Sequence, residues 1–394
     1  MAHAAVIALI DGEHRPVAVR EALDRLESSR GLAGVVFVGG TEKVMPDAEW
    51  GRPVRHDVEA ALRELAPLAG AVVDLADEPP LPPSAKLRLA ALALHLGLSY
   101  EAPGMRLDPP RYAALPFAGP KLAVIGTGKR TGKTAVAGHW AGLLDDVVIV
   151  CMGRGGPGEP TLAEPGLSLD ELLAIADHGA HAASDYLEGA VLAGVRTVGC
   201  RRVGGGPAGE PAESNVVDGA ALAAGLEPGA IVFEGSGACI PPVQVDRTIC
   251  ILGAGADEPL ADYRLLRADL VLAPEGTPAP RGALRFELRS EPAEPVPAGA
   301  RVALFTAGAE RCDGVEPVLV STNLAQRDAL AGDLERAAAE DCDLYLTELK
   351  AAAIDTVAVE ARRRGARVVF VRNRPIGLDE DLDAALVKLY EDVA

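Results

Sequence analysis

Lysine is scarce in this 394-residue chain: Lys43, Lys86, Lys121, Lys129, Lys133, Lys350 and Lys388 are all there are. Aromatic residues make up only 4% of it, and the excess of acidic over basic groups leaves a formal net charge of −19. A surface of that sign repels nucleic acid and anionic membranes, which are bound through basic patches. It also repels anionic metabolites, so a phosphate site has to be assembled locally from backbone amides, arginines and the few lysines. No apolar run reaches the ~20 residues of a membrane-spanning helix, and AAVIALI (4–10) is too short for the core of a secretory signal. The six cysteines (Cys151, Cys200, Cys239, Cys250, Cys312 and Cys342) are scattered and form no C-x-x-C pair. That pattern predicts buried free thiols in a reducing cytoplasm, not a disulfide frame or a zinc site.

What is present is a repeating order of strand, loop and helix. AAVIALI (4–10), GVVFVGG (34–40) and AVVDLAD (71–77) read as buried strands. Helical stretches at 16–29, 61–69 and 84–97 alternate with them. Short unbroken apolar strands between amphipathic helices indicate a parallel sheet covered on both faces. Residues 101–120, rich in Pro and Gly, read as a linker. A second α/β unit follows, with strands expected at 121–126, 146–151, 195–200, 230–234 and 247–252. EPAEPVPAGA (291–300) reads as another joint, before RVALFTA, EPVLVST, CDLYLTE and ARVVFVRN. The expected architecture is α/β throughout: a Rossmann-like N-terminal domain (1–118), a P-loop nucleotide-binding domain (119–298) and a C-terminal α/β segment (299–394) packed with it.

The strongest chemical signal is GTGKRTGKT (126–134), between a strand and the helical TAVAGHWAGLLD. A Walker A loop is G-x-x-x-x-G-K-[ST]; here Gly132, Lys133 and Thr134 close the motif, but Thr127 stands where the opening glycine belongs. Small residues before a helix N-terminus still supply inward amides and positive potential. The cofactor-binding set is therefore Gly126, Thr127, Gly128, Lys129, Arg130, Thr131, Gly132, Lys133, Thr134 and Ala135. Lys133 is expected on the outer phosphates of ATP and Thr134 on Mg²⁺. The GT-x4-GKT spacing resembles the P-loop branch that contains dethiobiotin synthetase and the deviant-Walker ATPases. That branch places an acid at the end of a later strand, and IVFEGSGA offers Glu234 as a Mg²⁺ carboxylate. A plain strand-exit glutamate is the alternative.

Further anion-binding pieces lie elsewhere. IDGEHRP brings Asp11, His14 and Arg15 to the carboxyl end of the first strand, where open α/β sheets bind ligands. VGGTEK adds Gly39, Gly40, Thr41 and Lys43, the makings of a phosphate or carboxylate nest. Arg154, Arg201 and Arg202 flank glycine-rich loops at 153–160 and 201–211, and guanidinium forks hold phosphate oxygens bidentately. ASDYLEGA contributes Asp185 and Glu188 as metal or water-positioning acids, with an exposed helix start as the plainer reading. TELKAAAID contributes Lys350 as a substrate ligand.

Together DGEHRP, GGTEK, GTGKRTGKT, GRGGPGEP, GCRRVGGGPAGEPAESN, FEGSGACIPPV and TELKAAAID resemble the cyclic 2,3-diphosphoglycerate synthetase family over most of the chain. The resemblance implies an ATP-dependent ligase that closes 2,3-diphosphoglycerate into its cyclic pyrophosphate with release of ADP and phosphate. It implies catalysis by Lys133, Glu234, Arg154, Arg201 and Arg202, with Mg²⁺ held by Thr134, Glu234 and Asp185. The partner is then a small phosphorylated molecule, and a homodimer is the expected state. Two other readings share the loop. A dethiobiotin-synthetase-like ligase leaves the paired arginines without a task, and a nucleotide-switch ATPase or chaperone requires a protein partner.

Overall fold

The computed structural model describes residues 5–40, 49–179, 182–235 and 237–394. They form two compact units, one of residues 1–111 with 255–267, the other of 112–254 with 268–394.

The first unit is built on six strands: β1 (Ala5–Ile10), β2 (Leu32–Phe37), β3 (Val54–Arg55), β4 (Ala69–Asp74), β5 (Ser99–Ala102) and β6 (Met105–Leu107). Their order is β3-β2-β1-β4-β5-β6, parallel except for the last pair. Successive residues of β1 enter opposite cores. Ile7 and Leu9 pack with Leu62, Leu65 and Tyr100, whereas Ala8 and Ile10 pack with Val19, Leu23, Phe37 and Trp50. Burial on both faces is why β1 reads as continuous apolar sequence. Part of the stretch expected as a linker is a hairpin: Ala102 pairs with Met105, and the intervening Pro103-Gly104 makes the turn, Gly104 at φ 74°. Proline followed by glycine here is turn chemistry between two strands. Residues 255–267 add the short helix Asp262–Leu266, tied to helix Pro83–His95 by the Arg88–Asp262 ion pair.

The second unit carries β7 (Lys121–Gly126), β8 (Val147–Gly153), β9 (Thr161–Ala163), β10 (Arg196–Val203), β11 (Glu213–Ser214), β12 (Ala230–Gly235), β13 (Arg247–Ile251), β14 (Leu270–Pro274), β15 (Leu284–Pro292), β16 (Val302–Phe305), β17 (Leu319–Ser321), β18 (Leu344–Glu348) and β19 (Arg367–Gly377). They form one sheet, ordered β11-β10-β8-β12-β7-β13-β14-β15-β19-β18-β16-β17, with β9 on β10. One face of the half that contains β7 is filled by Leu122, Val124, Ile149, Val232, Ile249, Leu272 and Phe286 against Trp140 and Leu386.

The register of the middle strands sets up the site. β14 pairs with β15 only from Leu272↔Leu284 to Pro274↔Phe286. Beyond that level β15 runs on, antiparallel to β19, from Phe286↔Gly377 to Pro292↔Val371. From the other side β18, parallel to β19, arrives at the same level, with Glu348 opposite Val371. The two parallel halves therefore run head to head. Their carboxyl ends face each other across the ribbon 286–292/371–377, about 20 Å long at ~3.4 Å per residue. Open α/β sheets place ligands beyond strand carboxyl ends; here two such edges share one space.

Candidate functional site

The phosphate loop joins β7 to helix Lys133–Gly142. Thr127, at the position of the absent glycine, ties the loop base to the end of β13: its amide donates to the Ile251 carbonyl (3.1 Å) and its Oγ1 accepts from the Gly253 amide (3.0 Å). Gly128 is needed one residue later, because a Cβ there would lie 2.3 Å from the Ala254 carbonyl oxygen. Gly132 precedes the helix at φ 88°, a left-handed conformation that favours glycine. Lys133 is 6% exposed, and its ammonium donates to the Gly128 carbonyl (2.7 Å) and to Thr131 Oγ1 (3.2 Å). Burial lowers the pKa of this lysine against the opposing pull of Glu234 and Asp185.

Thr134 donates to Glu234 Oε2 at 3.3 Å. Glu234 stands at the carboxyl end of β12, and its Oε1 is buried without a hydrogen-bond partner among the described residues. Burial and then the nearby Asp185 push its carboxyl far above the usual range. A hydroxyl beside a buried carboxylate with a spare oxygen is a donor set that fits a hard divalent cation. Among the described residues there is no gathering of three or more His, Cys, Asp or Glu side chains that could hold a metal, so a cation here would also rely on phosphate oxygens.

A cavity of about 720 Å³ spreads from the loop across the ribbon. Residues 129–135, Arg154 and Asp185 line it from the nucleotide-binding half; Glu348 and Lys350 line it from the other half, and Ser290 and Asn373 from the ribbon. Lys350 Nζ lies 3.4 Å from Glu188 Oε1 and 3.9 Å from Glu348 Oε1. Glu188 first, and Glu348 with it, raise the lysine's pKa against its burial. Glu348 accepts from the Ala307 amide (2.7 Å) and from Asn373 (3.0 Å), and Asn373 in turn accepts from Ser290 (2.7 Å). This chain of bonds fixes the wall that carries Lys350. Burial pushes the Glu188 carboxyl up to about 7.

Two guanidinium groups converge on Gly237, another wall residue: a Cβ there would lie 2.6 Å from Arg154 Nη2 and 3.3 Å from Arg202 Nη2. Arg154 has no acidic partner among the described residues, whereas Arg202 donates to the Gly204 carbonyl (2.8 Å). Strand alternation parts the neighbouring arginines. Arg202 is buried beside Gly237; Arg201 is exposed, lies against Gly158 and is not on the cavity wall.

The sequence-derived set thus divides into three groups. Gly126, Thr127 and Gly128 form the loop base, and Lys129, Arg130, Thr131, Gly132, Lys133, Thr134, Ala135, Arg154, Asp185 and Lys350 line the cavity. Glu234 backs Thr134, Arg202 adjoins Gly237, and Arg201 stands apart. Asp11, His14, Arg15, Gly39 and Gly40 belong to the first unit. There Asp11 Oδ1 meets His14 Nδ1 at 2.8 Å and accepts from the Glu13 amide, and Oδ2 accepts from the Asp77 amide. Burial works to raise the Asp11 carboxyl, but these bonds outweigh it and leave the pKa lowered. The Gly12 amide donates to the Gly39 carbonyl (2.9 Å), so the glycines adjoin Asp11 through the chain. Arg15 stands at the N-cap position of the helix Pro16–Arg30, with no side-chain capping bond. Thr41 and Lys43 lie outside the described residues. Ser290 and the 307–309 turn also line the cavity and lie outside the sequence-derived set. The turn's signal, small residues just after a strand (FTAGA), is the one that marked the other loops.

Three family models match the chain. The cyclic 2,3-diphosphoglycerate synthetase N-terminal domain covers residues 5–108, its P-loop domain 121–274 and its C-terminal domain 302–374. A cyclic 2,3-diphosphoglycerate synthetase of Rubrobacter xylanophilus is 44% identical over 97% of this chain and 96% of its own. Those of Thermococcus gammatolerans and Methanothermobacter thermautotrophicus are 37% and 34% identical, each over 98% of this chain and 97% and 96% of their own. A solved LpxK of Aquifex aeolicus in complex with ATP aligns at 16% identity over 72% of this chain and 90% of its own, with a TM-score of 0.43. The six cysteines are free and buried, and among the described residues no helix is long and apolar enough to cross a membrane.

Proposed function

The chain belongs to the cyclic 2,3-diphosphoglycerate synthetase family, and from that premise we propose that it couples ATP hydrolysis to closure of 2,3-diphosphoglycerate into its cyclic pyrophosphate. One substrate phosphate oxygen attacks the ATP γ-phosphorus, and the bond to ADP breaks. The second substrate phosphate then attacks the phosphorus that carries the transferred group. The ring P–O bond forms, and inorganic phosphate leaves with the old bridging oxygen. Both nucleophiles are already ionised, so no strong base is required; positioning and charge neutralisation are.

The observation that carries this reading is the convergence of Lys133, Arg154 and Lys350 on one cavity wall, with Arg202 beside it at Gly237, in a chain of net charge −19. Two unit charges about 5 Å apart repel by roughly 0.8 kcal/mol in water and about 3 kcal/mol at an effective dielectric of 20. A substrate with two phosphates and a carboxylate contains several such pairs, so its folding back needs cations on more than one side. In this reading Lys133 meets the γ-phosphoryl group, Arg154 and Arg202 hold one substrate phosphate, and Lys350 faces the other end. Thr134, Glu234 and Asp185 would hold Mg²⁺, which supplies further positive charge when bound; the spare Glu234 oxygen supports that fit. Arg201, turned away from the cavity, is left a peripheral role. For Asp11, His14, Gly39, Gly40 and Lys43 the proposal is recognition of the glycerate end or control of access. A cytoplasmic homodimer completes it, with sedimentation as the check on assembly.

The test is ADP release with and without 2,3-diphosphoglycerate. Turnover is expected to depend on it. Turnover indifferent to it would instead favour a nucleotide-switch ATPase.

A further inference from the structure

A second cavity, of about 350 Å³, lies against the side of the phosphate-loop helix. Thr134, Ala135 and Asn373 line both cavities, so the two adjoin at the residues that follow Lys133. Their chemistries differ. The larger one presents Arg154 without an acidic partner among the described residues. In the smaller one each basic side chain already has an acid: His139 lies 2.6 Å from Asp383 Oδ1, Arg372 donates to Glu291 Oε1 at 2.7 Å, and Arg374 Nε lies 3.7 Å from Glu291. Such a lining does not call for another anion. Between these ion pairs the wall is apolar or small: Gly138, Leu143, Leu192, Ala193 and Pro375. One polar atom stands out. Glu188, 6% exposed, lines this cavity, and its Oε2 is buried with no hydrogen-bond partner among the described residues. An oxygen in that position suits a hydroxyl or amine donor.

The occupant must therefore be uncharged, partly apolar, able to donate a hydrogen bond and joined to something held by the phosphate loop. A nucleoside attached to its phosphates meets all four conditions, and the volume falls within the usual range of small-molecule pockets. We propose that this cavity receives the nucleoside end of ATP, with Glu188 as the acceptor for a ribose hydroxyl or the exocyclic amine. The wall opposite the helix is the π-helical turn Gly189–Ala193, whose widened backbone is of a kind found at functional sites. The inference rests on ATP being the nucleotide of the proposed reaction, but it is read out by binding alone.

Gly142 lines the cavity, ends the helix without a positive φ, and a Cβ on it would meet nothing within 4 Å. Gly142→Phe thus grows a side chain into open space, and Gly142→Ala controls for the loss of glycine. Calorimetric titration with ATP and with inorganic tripolyphosphate separates nucleoside from phosphate binding. Gly142→Phe is expected to weaken ATP about tenfold or more, with tripolyphosphate unchanged and Gly142→Ala like the parent. Unchanged ATP affinity in the folded Gly142→Phe protein would overturn the proposal, as would equal weakening of both ligands. Hydrogen exchange on the unsubstituted chain gives a second reading that needs no variant: ATP should slow exchange at 189–193 and tripolyphosphate should not, and equal effects would count against the assignment. Tight ATP binding without diphosphoglycerate-dependent turnover would instead defeat the proposed reaction and leave this inference standing.

Discussion

Individual side chains in the cavity are held by burial as much as by partners, and that has measurable consequences. Lys133→Ala removes the ammonium that donates to the Gly128 carbonyl, and a loss of roughly 10²–10³ in kcat is expected in a steady-state assay. The arginines separate by strand alternation. Arg202→Ala should raise KM for 2,3-diphosphoglycerate about tenfold or more, the scale of a charge-assisted hydrogen bond. Arg201→Ala should change it far less, and equal effects would contradict the placement of Arg202 alone beside the cavity at Gly237. Glu188 has a folded pKa of about 7 against an ordinary 4.5. Between those values the folded protein holds a proton that the unfolded chain has lost, so this group's contribution to stability falls as pH rises through that window. The full loss is about 3 kcal/mol. Melting temperature against pH should decline more steeply in the parent than in Glu188→Gln; parallel curves would show that Glu188 is not the source. RR in the sequence gave no hint of which arginine turns toward Gly237, because that depends on where β10 begins its alternation.

At the level of elements, the phosphate loop stands on Gly128 and on the helix behind it. Gly128→Ala would press a methyl group against the Ala254 carbonyl, and the shifted loop should lose nucleotide affinity with little change in melting temperature. The apolar strands were legible in sequence because parallel strands covered on both faces carry unbroken apolar runs, as in β1 and β7. The loop was legible because its glycines and GKT punctuate such a strand and a helix. The ribbon that joins the halves was not. ALRFELRSEP and RVVFVRNRPIG mix charged with apolar residues, as half-exposed strands do, and they pair residues some 80 positions apart (Ser290↔Asn373). Proline at 292 suggested a joint, whereas it is the last residue of β15. The hairpin at Pro103-Gly104 is hidden in the sequence for a similar reason: turn residues announce a break without saying whether strands resume after it.

Over the second unit as a whole, the head-to-head register of one sheet is what turns two ordinary strand edges into a single cavity. A phosphate loop alone could serve any of several ATP-dependent reactions. Facing edges let a compact polyanion be approached by cations from both halves, Lys133 and Arg154 from one and Lys350 from the other. Substitution in either half should therefore impair the same substrate: Lys350→Ala is expected to raise KM for 2,3-diphosphoglycerate while leaving ATP affinity near the parent value, as read by titration. The chemistry of the family follows from this shared space, because closing the ring requires both substrate phosphates and the γ-phosphate to meet. The most direct measurement is a crystal structure with a non-hydrolysable ATP analogue and 2,3-diphosphoglycerate. The expected density puts the substrate between the Gly237 arginines and Lys350, with the triphosphate on residues 126–135; diphosphoglycerate bound only at Asp11, His14 and Gly40 in the first unit would contradict the account.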